Sequence, residues 1–134
     1  MKEKTYQTRC GTIHYWVNVS DPDAVTLAFL PGLTADHRLF DKQIQHLENK
    51  YNVVVWDAPA HASSWPFRFD FDLFDKANWL NGILNQEGIT KPVIIGQSMG
   101  GYVGAGLCTA LSNAAGRLYF HGFCTATAKL CDCG

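Results

Sequence analysis

The chain is predicted to be an α/β protein with a mostly parallel sheet behind an antiparallel N-terminal hairpin. Three observations carry that prediction. Residues 24–30, 52–56 and 91–95 are short apolar runs rich in branched side chains, the mark of strands covered on both faces. The segments between them carry apolar residues at helical spacing, so strand and helix alternate and the crossovers are right-handed. Residues 5–9 and 12–19 flank Cys10-Gly11, and Ile13, Tyr15, Val17 and Val19 alternate with polar or amphipathic positions, as in a half-buried strand.

Taken in order, Ser20-Asp21-Pro22-Asp23 forms a turn before the first buried strand. That strand ends in Pro31-Gly32-Leu33-Thr34, and a helix follows with Leu39, Phe40, Ile44 and Leu47 on one face. The second buried strand closes at Asp57-Ala58-Pro59-Ala60-His61-Ala62-Ser63-Ser64. Asp70 or Asp72 caps a second helix, whose stripe is Leu73, Phe74, Ala77, Leu80 and Leu84 and which stops at Gly88. There is no internal repeat and no linker.

Composition sets the class. With 134 residues there is room for one modest core, and 47% hydrophobic against 17% charged residues argues for a globular chain. A net charge of -1 without a basic run argues against nucleic acid as a partner. No apolar run approaches the ~20 residues of a membrane span. Met1-Lys2-Glu3-Lys4 is charged and leads straight into a strand, so no signal peptide is read and a cytoplasmic location is expected.

The chemistry concentrates in Gly96-Gln97-Ser98-Met99-Gly100, which follows a buried strand and opens an apolar helix. This is the G-x-S-x-G nucleophile elbow. A tight turn lifts the serine above the end of the sheet and tolerates no side chain two residues to either side. Ser98 is the candidate nucleophile. The N–H of Met99, at the start of the next helix, is the candidate first donor to an oxyanion.

Residues from about 12 to 104 resemble the N-terminal half of an α/β-hydrolase of the esterase, lipase and haloperoxidase-like superfamily. The resemblance rests on Leu30-Pro31-Gly32-Leu33-Thr34-Ala35-Asp36-His37, on the 57–64 stretch and on the elbow. It implies a partial α/β-hydrolase fold, truncated after the nucleophile helix, with the elbow strand left open on one flank. It also implies hydrolysis of a carboxylic ester of small-molecule size, with Leu33 giving the second oxyanion N–H. No metal and no organic cofactor is implied. The family's usual His-Gly is Pro31-Gly32 here. Its Asp-x-Pro-Gly-His-Gly is Asp57-Ala58-Pro59-Ala60-His61-Ala62, and alanine in both glycine places is expected to strain that loop. By the family's order of Ser, then acid, then His, His61 is structural and Asp57 organises its loop. Asp36 and His37 either face substrate or form a solvated helix start. Trp56, Trp65, Phe67, Phe69 and Phe71 are read as core packing near the pocket.

From Ala105 the resemblance stops. A DNA that encodes residues 105–122, read one nucleotide further on, translates as QVFAQLYPTQLAGFISM and can continue as DSAPLQRSYVTA. That restores a helix, Tyr-Pro, a buried strand and Asp-Ser-Ala-Pro. Residues 1–104 are therefore expected to be the hydrolase half-domain and 105–134 an out-of-frame tail. Cys108, Cys124, Cys131 and Cys133 then need no metal or redox role, for which they lack histidine partners at a recognised spacing. Without the triad acid and base, the chain is expected to be inactive. A non-catalytic binding module and a truncated product without function are the other classes.

Overall fold

In the computed structural model the described residues are 1–21, 23–90, 92–110 and 117–120, with backbone alone at 108–110 and 117–120. The strands are β1 (Lys2–Gln7), β2 (Thr12–Asn18), β3 (Thr26–Leu30), β4 (Asn52–Trp56), β5 (Pro92–Gly96) and β6 (Arg117–Phe120). The helices are α1 (Asp41–Leu47), α2 (Leu73–Gln86) and α3 (Met99–Ala110), with 3-10 turns at His37–Phe40 and Ala62–Ser64. The six strands lie in the order β1-β2-β4-β3-β5-β6. β1 and β2 pair antiparallel, β2 joins β4 antiparallel, and β4, β3, β5 and β6 run parallel. This is the α/β architecture expected, and it goes one strand further. The flank of β5 expected to be open is paired, Gly96 standing opposite Phe120.

The continuous apolar runs are explained by two cores, one on each face of the sheet. Along β3, Ala28 and Leu30 face the core built with Ala77, Leu80 and Ile83 of α2 and Val103 and Leu107 of α3. Leu27 and Phe29 face the other way, onto Phe40 and Ile44. The strand period of two therefore sends alternate side chains to different cores, and every residue of β3 and β4 is buried.

The helix starts follow capping chemistry. Asp72, not Asp70, caps α2: its side chain accepts from Asp75 N–H while the Asp75 carboxylate accepts from Asp72 N–H. Asp70 instead receives Arg68 and the thiol of the buried Cys10. Gly88 ends α2 at φ +70, a conformation that glycine adopts at little cost. No helix among the described residues is long and apolar enough to cross a membrane.

Candidate active site

β3, β4 and β5 all end on the same edge of the sheet, because they run parallel, and their following loops meet there. Gly96 closes β5, and Ser98 sits at φ +52, in the left-handed region, before α3 begins at Met99. The serine is exposed. Both flanking glycines are forced by backbone contact. A Cβ on Gly96 would lie 2.5 Å from the Gly101 nitrogen and 2.6 Å from the Gly100 carbonyl carbon. A Cβ on Gly100 would strike the carbonyl group of Leu30. The turn is closed by Gly100 N–H to the Gln97 carbonyl at 2.9 Å and Gly101 N–H to the Ser98 carbonyl at 2.9 Å.

The loop after β3 is fastened to this turn. Gln97 N–H donates to the Leu30 carbonyl at 3.0 Å, and Gly32 N–H donates to Gln97 Oε1 at 3.1 Å. A Cβ on Gly32 would come 3.3 Å from the Ser98 Cβ. Ala35 N–H to the Gly32 carbonyl then closes a turn over Leu33 and Thr34, with Thr34 at φ +65. Leu33 is exposed there. Among the described residues, neither the Leu33 N–H nor the Met99 N–H donates to an acceptor. The structure thus brings Ser98, Met99 and Leu33 to one end of the sheet.

His37 and His61 lie on the loops after β3 and β4 and bond within those loops. The His61 ring donates Nδ1–H to the Pro59 carbonyl at 3.0 Å, and its backbone carbonyl accepts from Ser64. His37 opens the 3-10 turn, is partly exposed and has no hydrogen bond to the elbow. Its backbone N–H and its ring Nδ1 both reach Oδ1 of Asp57 at 2.8 Å, and its ring stacks on Trp16 of β2 at 3.6 Å between centroids. Asp57 is completely buried, and its second oxygen accepts from Ser63 N–H at 3.0 Å. One carboxylate therefore clamps the loops after β3 and β4 together. No hydrogen bond joins His37 or His61 to Ser98 among the described residues.

Ala60 and Ala62, in the family's glycine places, stand at φ +68 and φ +42. Alanine in that region costs roughly 1–2 kcal/mol, partly offset by the extra entropy glycine loses. Ala60→Gly and Ala62→Gly are each expected to stabilise the chain by about 0.5–1 kcal/mol, read as a higher urea midpoint. A lower midpoint for both would show the loop to be relaxed as it stands.

The aromatic stretch divides. Trp56 and Phe67 are core residues as expected, but Trp65 and Phe69 are exposed. Among the described residues no three His, Cys, Asp or Glu side chains gather as a metal site. Cys124, Cys131 and Cys133, and the side chain of Cys108, lie outside the described residues. Two arrangements escaped the sequence reading: the His37–Asp57 clamp, and Lys76 of α2, whose ammonium lies 3.2 Å from Met99 Sδ. Their signals were a histidine one turn past the oxyanion loop and a cation in a first helical turn, neither of which names its partner.

Residues 25–112 match the α/β-hydrolase fold family. The chain belongs to the α/β-hydrolase fold family. Over 97 residues it is 35% identical to the magnesium-chelatase 30 kDa subunit of Rhodobacter capsulatus, covering 71% of this chain and 34% of that protein. It is 30% identical over 104 residues to 1H-3-hydroxy-4-oxoquinoline 2,4-dioxygenase of Pseudomonas putida, covering 78% of this chain and 39% of that one. An α/β-hydrolase enzyme from a Medee basin deep-sea metagenome library superposes with a TM-score of 0.78 at 17% identity, over 89% of this chain and 43% of its own, which is a likeness of fold. The chain spans between a third and two fifths of the length of these curated relatives. Within that span the α/β-hydrolase sheet is assembled from β1 to β6, with the elbow between β5 and α3.

Proposed function

We propose that Ser98 is the nucleophile of a hydrolase acting on a small carboxylic ester. The observation that carries this reading is the exposed serine at φ +52 on the strand-to-helix turn. Its Oγ would attack the ester carbonyl carbon, and the Met99 and Leu33 N–H groups would donate hydrogen bonds to the developing oxyanion. The serine proton needs a base, and the alcohol leaving group needs a proton back. We assign neither role among the described residues, because no hydrogen bond joins the His37 or His61 ring to Ser98; their Nδ1 atoms meet Asp57 and the Pro59 carbonyl. In this proposal residues 105–134 are the out-of-frame tail, and the acid and the histidine belong to the other frame. Among the described residues no histidine is hydrogen-bonded to Ser98, which favours, for the chain by itself, binding without turnover.

The test is covalent labelling with a fluorophosphonate, followed by intact mass. The 134-residue chain is expected to react roughly 10³–10⁴-fold more slowly than the frame-restored protein, since losing a triad member costs about that much. Ser98→Ala should abolish what labelling remains, and His61→Ala should leave it unchanged. Fast labelling lost in both variants would mean that a working Ser–His dyad exists in this chain.

A further inference from the structure

Lys76 lies half-buried in the first turn of α2. Its ammonium is 3.2 Å from Met99 Sδ and 5.5 Å from the centre of the Phe71 ring. Several cations of the fold meet carboxylates: Lys4 meets Glu87, Arg9 meets Asp75, Arg38 meets Asp36 and Arg68 meets Asp70. Among the described residues Lys76 meets none. A thioether and a ring face hold a cation weakly. Two helix N-termini, those of α2 and α3, add positive potential around it. Burial pushes its pKa down, as expected of an ammonium without a counter-charge.

The aromatic neighbours continue outward from Lys76. Phe71 stacks with Phe69 at 6.4 Å, and Phe69 packs on Trp65 at 5.8 Å. Phe69 is 72% exposed and Trp65 57%, far more than core aromatics are. An apolar strip therefore leads from the surface to a cation that touches the residue after Ser98.

We infer that Lys76 and the Phe71–Phe69–Trp65 strip select a substrate with an apolar body and a carboxylate, the carboxylate on the ammonium and the ester carbonyl at Ser98. This rests on the reading of Ser98 as nucleophile. A carboxylate at Lys76 would give the ammonium the charge-assisted hydrogen bond it lacks within the fold. The exposed rings would cover the apolar body, burying surface on both partners.

The experiment compares the affinity of the full chain for boronopentanoic acid and for pentylboronic acid by titration calorimetry. In each case boron forms a bond to Ser98 Oγ, the serine proton passes to buffer and boron becomes a tetrahedral anion. The parent chain should bind the carboxylated probe about tenfold more tightly than the neutral one, the size of one partly exposed charged hydrogen bond. Lys76→Met and Lys76→Gln should bring the ratio to about one, and Lys76→Arg should keep most of it. Far-UV spectra matching the parent would show that these variants fold. A parent ratio near one, or an unchanged ratio in both neutral variants, overturns the inference. Ser98→Ala tests the other reading separately: unchanged affinity for both probes removes Ser98 as the nucleophile, while the ratio still judges Lys76.

Discussion

Replacing Asp57 by alanine is expected to destabilise the chain by roughly 3–5 kcal/mol, a large share of the stability of a small domain. The carboxylate is fully buried and accepts the His37 N–H, the His37 ring and the Ser63 N–H. Alanine leaves two backbone donors and a ring donor without an acceptor inside the protein, each costing about 1–3 kcal/mol, and opens a small cavity. Asp57→Asn should lose less. It keeps one oxygen for His37 but turns an NH₂ group toward the Ser63 N–H. His37→Ala should cost least, because the carboxylate then keeps both backbone donors. Urea unfolding of the three variants reads the order directly. An Asp57→Ala midpoint equal to the parent's would show that the loops after β3 and β4 are held by something other than this clamp.

Gly100→Ala is expected to cost about 3 kcal/mol or more and to remove Ser98 from its turn. The added methyl would fall on the Leu30 carbonyl, with the carbonyl carbon at 2.7 Å and the Leu30 Cβ at 2.9 Å. Leu30 ends the central strand β3, so α3 would have to withdraw from the sheet. Overpacking against a backbone that cannot yield lies at the upper end of such penalties. The same substitution further along α3 should behave oppositely. At Gly106 the new methyl meets only the Ala77 Cβ, at 3.3 Å, and alanine is the better helix former. Gly106→Ala is expected to change stability by less than about 1 kcal/mol. Thermal melting with fluorophosphonate labelling separates the two. A Gly100→Ala chain that melts and labels like the parent would refute the close approach of α3 to β3.

The strands were legible where burial on two sides writes itself as an unbroken apolar run, as at Val53, Val54 and Val55. β1 begins at Lys2, earlier than the expected Thr5, because an edge strand needs no apolar face and its lysines and glutamate gave no period. β6 falls in the segment expected to be an out-of-frame tail; Leu118, Tyr119 and Phe120 are β-prone residues whatever their origin. The elbow was legible because glycine is written into the chain wherever backbones touch. The clamp and the Lys76 contact were not. They join residues 20 and 23 apart through strand order and helix crossing, which spacing along the chain does not carry. Thr34, Ala60 and Ala62 carry positive φ without glycine, so a rule that reads turns from glycine alone passes over them.

The strand order also sets a timetable for synthesis. When Trp56 leaves the ribosome, β1, β2, β4 and β3 are complete and can pair, but β3 then forms the outer edge. Its partner on that side starts at Pro92, some 36 residues later. At about 5–20 residues per second, the nascent chain shows an apolar, unpaired edge for roughly 2–7 s. All five residues of that edge are buried in the finished protein. The central strand of the folded sheet is thus an adhesive edge of the growing chain, and a ribosome that pauses between residues 56 and 92 prolongs its exposure to chaperones and to neighbouring nascent chains.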